Sequence, residues 1–381
     1  MKKFASVLCI ITLCATVFTG CNKEEVQSGD TQEIQSGDTQ EVQSEDAQEV
    51  QSEDTQEIQS ADITENTEAS EEQLSDEANS ENTDSANPTV VRIGSLKGPT
   101  TMGLVNLMKD SENEESVGNY QFDMKTQPDE IMAGLVAGDI DIALVPANMA
   151  SVLYNKTEGG VRLLDINTLG VLYCVTGDDS VKSVKDLAGK TVISTGQGAS
   201  PEYVLRYLLD KNGVNDCNIE FKSEATEIAA ILQEDATKIA ILPQPFVTVA
   251  TTKNENVSAV FDLTDEWDAV SNGSKLITGV TVVRKDFLNE HPDEVKTFID
   301  EHEKSTEKAT SDVEGTANLV AEYGIIEKAP IAAKAIPECN IVCITGDVAN
   351  TALSGYLQVL YDQEPKSIGG AMPGDDFYTI D

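Results

Sequence analysis

Two short runs, far apart in the chain, constrain the fold most: Asp139-Ile-Asp-Ile-Ala-Leu-Val-Pro146 and Thr237-Lys-Ile-Ala-Ile-Leu-Pro243. Each follows a segment with helical spacing, is nearly continuous in apolar residues, and stops at a proline. A strand of that kind has both faces covered, which is the condition of a parallel sheet with helices on either side. The loops upstream match as well. Ser95-Leu-Lys-Gly-Pro-Thr100 parallels Thr195-Gly-Gln-Gly-Ala-Ser200, each leading from a short strand through a glycine turn into a helix. Two related α/β halves with matching loops imply a cleft between them.

The alternation of strands and helices runs through most of the chain. Strands are predicted at 89–94, 140–145, 171–175, 190–194, 219–221 and 239–242, where β-branched residues cluster. Helices are predicted at 102–108, 131–137, 184–189, 202–210 and 225–233, and one begins at 150–154. A charged stretch, 289–308, reads as an exposed helix, and Cys339-Asn-Ile-Val-Cys343 as a strand.

The first 88 residues are of another character. Met1-Lys2-Lys3 precede an apolar run from Phe4 to Phe18, too short to span a bilayer and typical of a signal peptide. The run ends Phe18-Thr19-Gly20-Cys21, which resembles a bacterial lipobox, with Phe where the first position is usually Leu. The resemblance implies diacylglycerol on Cys21 and cleavage before it, and buried acyl methylenes at roughly 0.8 kcal/mol each make a firm anchor. From Glu25 an octapeptide repeats, Glu-Val-Gln-Ser-Gly-Asp-Thr-Gln and variants, and the stretch to Asn87 stays rich in Glu, Asp, Gln, Ser and Thr. Such a segment buries too little apolar surface to offset its ordering entropy. Residues 22–88 are therefore expected to be a disordered acidic linker, with a coil end-to-end distance of roughly 45 Å that charge repulsion extends.

Composition excludes several functions. The net charge of −41 sets the chain against nucleic acid and anionic lipid surfaces. The two histidines, His291 and His302, fall in the charged 289–308 stretch, without metal-ligand spacing. No nucleophile elbow, P-loop or paired Cys/His motif is present, so neither a catalytic residue nor a cofactor nor a metal is expected. Of seven cysteines, Cys9 and Cys14 would leave with the signal. Cys174, Cys217, Cys339 and Cys343 read as buried small hydrophobes, with one chance disulfide as the alternative; Cys339 and Cys343, four apart on a strand, stand roughly 13 Å apart and too far to pair.

An ordered set of segments carries a family resemblance: Ser95-Leu-Lys-Gly-Pro-Thr-Thr-Met-Gly103, Gly138-Asp-Ile-Asp-Ile-Ala143, Pro146-Ala-Asn-Met-Ala150, Thr168-Leu-Gly-Val-Leu-Tyr173, Asp186-Leu-Ala-Gly-Lys-Thr191 and Gly196-Gln-Gly-Ala-Ser-Pro-Glu-Tyr203. Together they resemble ABC-importer solute-binding proteins of the nitrate/sulfonate/taurine and thiamine-pyrimidine group, as does the closing Ser367–Tyr378 segment. The chain lacks the cysteine-rich run of the related fungal pyrimidine synthases.

The resemblance implies a type II periplasmic-binding-protein fold, two α/β lobes joined by a two-stranded hinge. Residues 1–21 would be signal peptide and lipobox, 22–88 linker, 89–176 plus 277–381 lobe one, and 177–276 lobe two, with crossings near 173–176 and 277–282. It implies capture of a small organic solute, sulfonate-, nitrate- or pyrimidine-like, by hinge closure. Partners would be an ABC permease and ATPase, and the membrane through the lipid anchor only; the protein would be a monomer on the outer face of the cell membrane. A surface lipoprotein serving a sensor or adhesion role would have nearly the same sequence.

Ligand contacts are expected from Lys97, Gly98, Thr100, Thr101, Met102 and Asn148 in lobe one. Lobe two would add Gln197, Gly198, Ala199, Ser200 and Gln244, with Pro245 shaping the wall. Glycines permit close backbone approach, helix starts offer amides to oxyanions, and neutral hydroxyls and amides fix orientation. Thr100, Ser200 and Asn148 can equally cap helices. Trp267, the only tryptophan, reads as core packing before ligand stacking.

Overall fold

A computed structural model describes residues 89–271 and 273–380. The signal segment, Cys21 and the repeat linker lie outside the described residues.

The chain opens with β1 (Val90–Leu96), α1 (Pro99–Met102), α2 (Val105–Glu112), β2 (Asn119–Lys125), α3 (Pro128–Ala137), β3 (Ile142–Pro146), α4 (Ala147–Lys156) and β4 (Val161–Leu169). It continues with β5 (Leu172–Thr176), β6 (Thr191–Ser194), α5 (Ser200–Lys211), β7 (Asn218–Phe221), α6 (Ala225–Glu234), β8 (Ile239–Pro243), α7 (Phe246–Lys253), β9 (Ser258–Asp262) and α8 (Leu263–Val270). The last part holds β10 (Ile277–Arg284), α9 (Lys285–Glu290), α10 (Pro292–Ser311), α11 (Val313–Glu322), α12 (Ala329–Ala335), β11 (Ile341–Ile344) and α13 (Gly346–Gln363).

Two mixed sheets result, in orders β11-β4-β10-β3-β1-β2 and β7-β6-β8-β5-β9. Within each, three parallel strands share one plan: β2-β1-β3 in the first and β7-β6-β8 in the second. The two apolar runs are β3 and β8, the third strand of each plan. Beside each lies an antiparallel strand, β10 against β3 and β5 against β8.

The chain passes between the sheets twice, at Gly170–Val171 and between Val270 and Ile277. The first pass is a few residues earlier than the sequence placed it. All of β5 belongs to the five-stranded sheet, because it pairs with both β8 and β9. The 277–381 return is not confined to the six-stranded half either: α13 packs on α5 and, through Tyr356, on Trp267 of α8.

Local chemistry explains the boundaries. Pro128 stands in the first turn of α3, Asp129 and Glu130 follow, and Gly138 ends the helix in the left-handed region at φ 80°. The helix expected at 102–108 is instead broken between α1 and α2. Ser305 of α10 reaches into the break: its Oγ donates to the Gly103 carbonyl at 2.6 Å and accepts from Leu107 N at 3.0 Å. Cys343 lies on β11, but Cys339, expected on the same strand, lies ahead of its first residue, Ile341. All four described cysteines are free; Cys174 and Cys339 are buried, Cys217 and Cys343 half-buried rather than fully buried as expected.

Helices cover both faces of the sheets. Val91, Ile93 and Leu104 pack against Phe298, Val320 and Ala332 of α10–α12. Ile193 and Leu242 pack against Ile228 and Val247 of α6 and α7. A third cluster runs continuously from one sheet to the other, through Val145, Ile166, Leu205, Trp267, Leu353 and Tyr356. Trp267 sits fully buried at its centre, between Tyr207 (centroids 4.5 Å) and Tyr356 (5.6 Å), with Nε1 donating to Ser274 Oγ at 3.1 Å.

Asp141, at the entrance to β3, pins three strands together. It accepts from Arg92 N (3.0 Å), Nε (2.8 Å) and a terminal nitrogen (2.6 Å) on β1, and from Arg284 (3.0 Å) at the end of β10. Burial by itself raises this carboxyl, but the Arg92 and Arg284 hydrogen bonds together outweigh it and hold the carboxyl below its ordinary value. A lowered carboxyl contributes stability that is present above the unfolded value, near pH 4, and is lost as the pH falls through the folded one. Asp141→Asn should therefore cost roughly 2 kcal/mol at pH 7, as expected for lost hydrogen bonds to charged groups. In urea titrations its deficit against wild type should shrink below about pH 4. A deficit unchanged at pH 3 would show that the carboxylate is not the source.

Candidate functional site

Where the two halves meet, the ends of the parallel strands enclose a cavity of about 390 Å³. Its wall on the six-stranded side is the β1–α1 turn, Leu96 to Thr100, with Pro128 and the start of α4 at Asn148 and Met149. The opposite wall is the start of α5, Ala199 to Pro201 and Val204, with Pro243 at the end of β8. The two chain passes complete it with Val171, Leu172 and Leu276 to Thr278, and Tyr356 of α13 closes it. Crevices at the carboxyl ends of parallel strands are the usual ligand position in α/β sheets, and the volume is that of a small-molecule site.

Two glycines let the passes come this close. A Cβ on Gly170 would stand 2.3 Å from Thr264 Oγ1, and one on Gly279 would stand 2.4 Å from Thr100 Cγ2 and 2.5 Å from Asn167 Oδ1. Asn340 steadies the first pass, its Nδ2 donating to the Gly170 carbonyl at 2.7 Å.

The structure brings six of the twelve sequence-chosen residues to the cavity: Lys97, Gly98, Thr100, Asn148, Ala199 and Ser200. The other six stand elsewhere. Thr101 and Met102 are fully buried behind the wall, and Thr101 Oγ1 donates to the Leu96 carbonyl at 2.6 Å. Gln197 and Gly198 are exposed at the outer turn, where the Gly198 amide already donates to Glu202 at 2.7 Å. Gln244 faces α7, its Oε1 accepting from Thr248 Oγ1 at 2.9 Å, and Pro245 follows it away from the cavity.

The residues that do line the cavity are partly committed. Thr100 Oγ1 donates to the Leu96 carbonyl at 2.9 Å, and Asn148 Nδ2 donates to Ser367 O at 3.1 Å. Ser200 is in hydrogen-bond range of the Tyr356 hydroxyl, whose pKa burial pushes up to about 12. Tyr356 thus stays neutral, a hydroxyl at the end of an aromatic wall. Lys97 is exposed at the rim and is the only permanently charged side chain among the described residues lining the cavity. Apart from Thr278, the remaining side chains of the surface are aliphatic, prolyl or aromatic. Such a site can enclose an apolar body and hold one polar or anionic group beside Lys97 and the hydroxyls.

The sequence missed Tyr356, Leu276, Met149 and Val204. Tyr356 is far along the chain in an unremarked helix, and only tertiary packing brings it here. Tyr173 does not line the cavity; it donates its hydroxyl to the Glu338 carbonyl at 2.9 Å, joining the two halves. Trp267 lies behind Tyr356 in the core. The 289–308 stretch is helical but not wholly exposed. His302 is fully buried on the inner stripe of α10, with Val295, Phe298 and Ala309.

Comparison with known proteins agrees with this geometry. Residues 132–314 match the family described as NMT1/THI5 like. Relatives in Brucella abortus and Brucella suis, named as candidate binding proteins, are 24% identical over 203 residues, 53% of this chain. The match spans 60% of those curated relatives' length. Among solved structures, an ABC transporter protein from Parabacteroides distasonis superposes with TM-score 0.66 at 23% identity, covering 76% of this chain and 99% of that one. The periplasmic aliphatic sulphonate binding protein SsuA from Escherichia coli gives 0.60 at 16%, covering 75% and 92%. The alkanesulfonate-binding protein SsuA from Xanthomonas axonopodis, bound to MOPS, gives 0.53 at 14%, covering 76% and 96%. The match to the NMT1/THI5-like family is confined to residues 132–314, and the described part of the chain has the periplasmic-binding-protein fold.

Proposed function

We propose that this chain is the solute-binding component of an ABC importer. It is lipid-anchored through Cys21 on the outer face of the cell membrane and carried on the 22–88 linker, with a permease and ATPase as partners. The observation that carries the reading is the cavity walled by both halves at the two chain passes. The solved neighbours from Escherichia coli and Xanthomonas, named for sulfonate binding, support it. So does the wall itself, in which no described residue is a histidine, carboxylate or cysteine able to act as a base or nucleophile. The protein binds its solute and releases it unchanged.

The six-stranded half, 89–170 with the return from 277, and the five-stranded half, 171–276, act as lobes that close on the solute, with Lys97, Gly98, Thr100 and Asn148 on one and Ala199 and Ser200 on the other. The apolar wall selects an organic body, and the single lysine selects one anionic group. An alkane- or arenesulfonate therefore fits better than nitrate, which has no apolar part to bury.

A thermal-shift panel of alkanesulfonates, arenesulfonates, nitrate and pyrimidines tests this. A ligand at a hundred times its dissociation constant adds about 2.7 kcal/mol of stability. Sulfonates with an apolar tail should shift the midpoint most, and Lys97→Gln should weaken them about threefold, which is about 0.6 kcal/mol. Nitrate binding with no organic solute bound would overturn the assignment. The anchor has its own test. Cys21→Ser should move the protein from the detergent phase to the aqueous phase on Triton X-114 partitioning and abolish labelling by a palmitate analogue. Labelling that persists would exclude Cys21 as the lipid site.

A further inference from the structure

Beneath α10, apart from the residues that line the cavity, the six-stranded sheet encloses a second polar group. Asp165 of β4, Thr281 of β10 and His302 of α10 are all fully buried. Thr281 Oγ1 donates to Asp165 Oδ1 at 2.9 Å, and Asn167 Nδ2 donates to Thr281 Oγ1 at 3.1 Å. The other Asp165 oxygen faces His302 Nδ1 at 3.3 Å, longer than the roughly 2.7–2.9 Å of a charge-assisted hydrogen bond. His302 Nε2 has no partner, so no hydrogen bond there holds the ring against a turn, and a buried polar atom is left unsatisfied. Cys343, half-buried on the edge strand β11, completes the group. Ligand atoms of Asp165, His302 and Cys343 all lie within 4.8 Å of one another.

We propose that Asp165, His302 and Cys343 form a binding site for a borderline-soft divalent cation of the zinc class. The donor set is one carboxylate oxygen, one imidazole nitrogen and one thiolate sulfur, leaving a fourth tetrahedral position for water. Two ligands bonded at about 2.0–2.1 Å to one tetrahedral ion stand roughly 3.3 Å apart. The observed separation of Asp165 Oδ2 from His302 Nδ1 is 3.3 Å. A sulfur bonded at about 2.3 Å stands roughly 3.6 Å from the other two ligands, so with all ligand atoms within 4.8 Å of one another Cys343 has at most about 1.2 Å to close, within reach of a side-chain rotation.

The field around the thiol agrees. Burial first, and then the carboxylates of Asp165, Glu303 and Glu307, push the Cys343 thiol up. Surroundings that resist a bare thiolate attract a cation, and a bound cation reverses the balance so that the thiol releases its proton to solvent. Carboxylate and thiolate then neutralise the two positive charges. Exposed Glu303 and Glu307 on α10 provide an acidic approach past Cys343. Calcium and magnesium, which require six or more oxygens, do not suit the set. A cation here would tie β4, β11 and α10 together behind the strand that carries the first chain pass.

The test uses the full chain, freed of metal by chelator and titrated with Co²⁺. The expected result is one Co²⁺ per chain with a thiolate-to-cobalt charge-transfer absorption, which Zn²⁺ displaces. Cys343→Ser should abolish the absorption and the rise in melting midpoint on adding Zn²⁺, whereas Cys217→Ser should leave both. His302→Gln should weaken Co²⁺ binding at least tenfold. Absence of the charge-transfer band would overturn the proposal. Metal uptake that Cys343→Ser leaves unchanged would overturn it too, showing only loose association with surface carboxylates.

Discussion

The cleft depends on two antiparallel pairings. β10 lies beside β3 with Gly279 opposite Pro146, and β5 lies beside β8 with Leu172 opposite Pro243. In each case the strand just outside a chain pass is registered on the proline that ends an apolar run. The prolines terminate the parallel strands, and the passes begin or end at the same level. Residues from both sheets therefore converge on one volume, and Pro146, Pro243, Leu172 and Ile277 all line it. A one-residue slip in either pairing would turn the inward face of the pass outward and dismantle the wall.

Packing behind the cavity limits how such a site can move. The apolar cluster that joins the sheets is continuous through Trp267 and Tyr356, and α13 is further held to α5 where Gln363 Nε2 donates to the Tyr203 carbonyl at 3.0 Å. Aromatic clusters of this density do not slide in small steps, because close-packed interiors resist continuous deformation. Under the proposed lobe closure, opening would be easiest as rotation about the Trp267–Tyr356 side, with the Lys97 and Ser200 turns separating most. The tie between Tyr173 and Glu338 is the smaller contact, and solvent can replace its hydrogen bonds.

What could be read from the sequence followed from how far each signal was local. β3 and β8 announced themselves as unbroken apolar runs, and α3 by its helical spacing over 131–137, although its first turn from Pro128 did not. β2 did not, because as an edge strand it leaves most of its side chains half-buried or exposed. β4 was hidden for the opposite reason. Eight of its nine residues are buried, yet Arg162, Asp165, Asn167 and Thr168 among them give it the composition of a loop. Their burial is made tolerable by partners at sequence separations over a hundred, such as Thr281 and His302. The site shows the same division. The turns holding Lys97, Thr100 and Ser200 were legible as glycine turns entering helices. Gln244, expected as a ligand contact because it follows a strand, instead accepts from Thr248 of α7. Nothing local marks Tyr356.

Electrostatics sets the remaining constraint on recognition. The chain carries a net charge of −41, so the long-range field repels any anion approaching from solution. At physiological ionic strength that field is screened beyond about 8 Å. Discrimination must therefore come from contacts made inside the cleft, where Lys97 stands at the rim and the deeper wall is apolar. Coulombic attraction to one exposed lysine is weak in high dielectric. Under the proposed function, burial of the solute's apolar surface, at roughly 25 cal/mol per Å², would supply most of the affinity, and Lys97 would chiefly fix which end of the solute faces the opening.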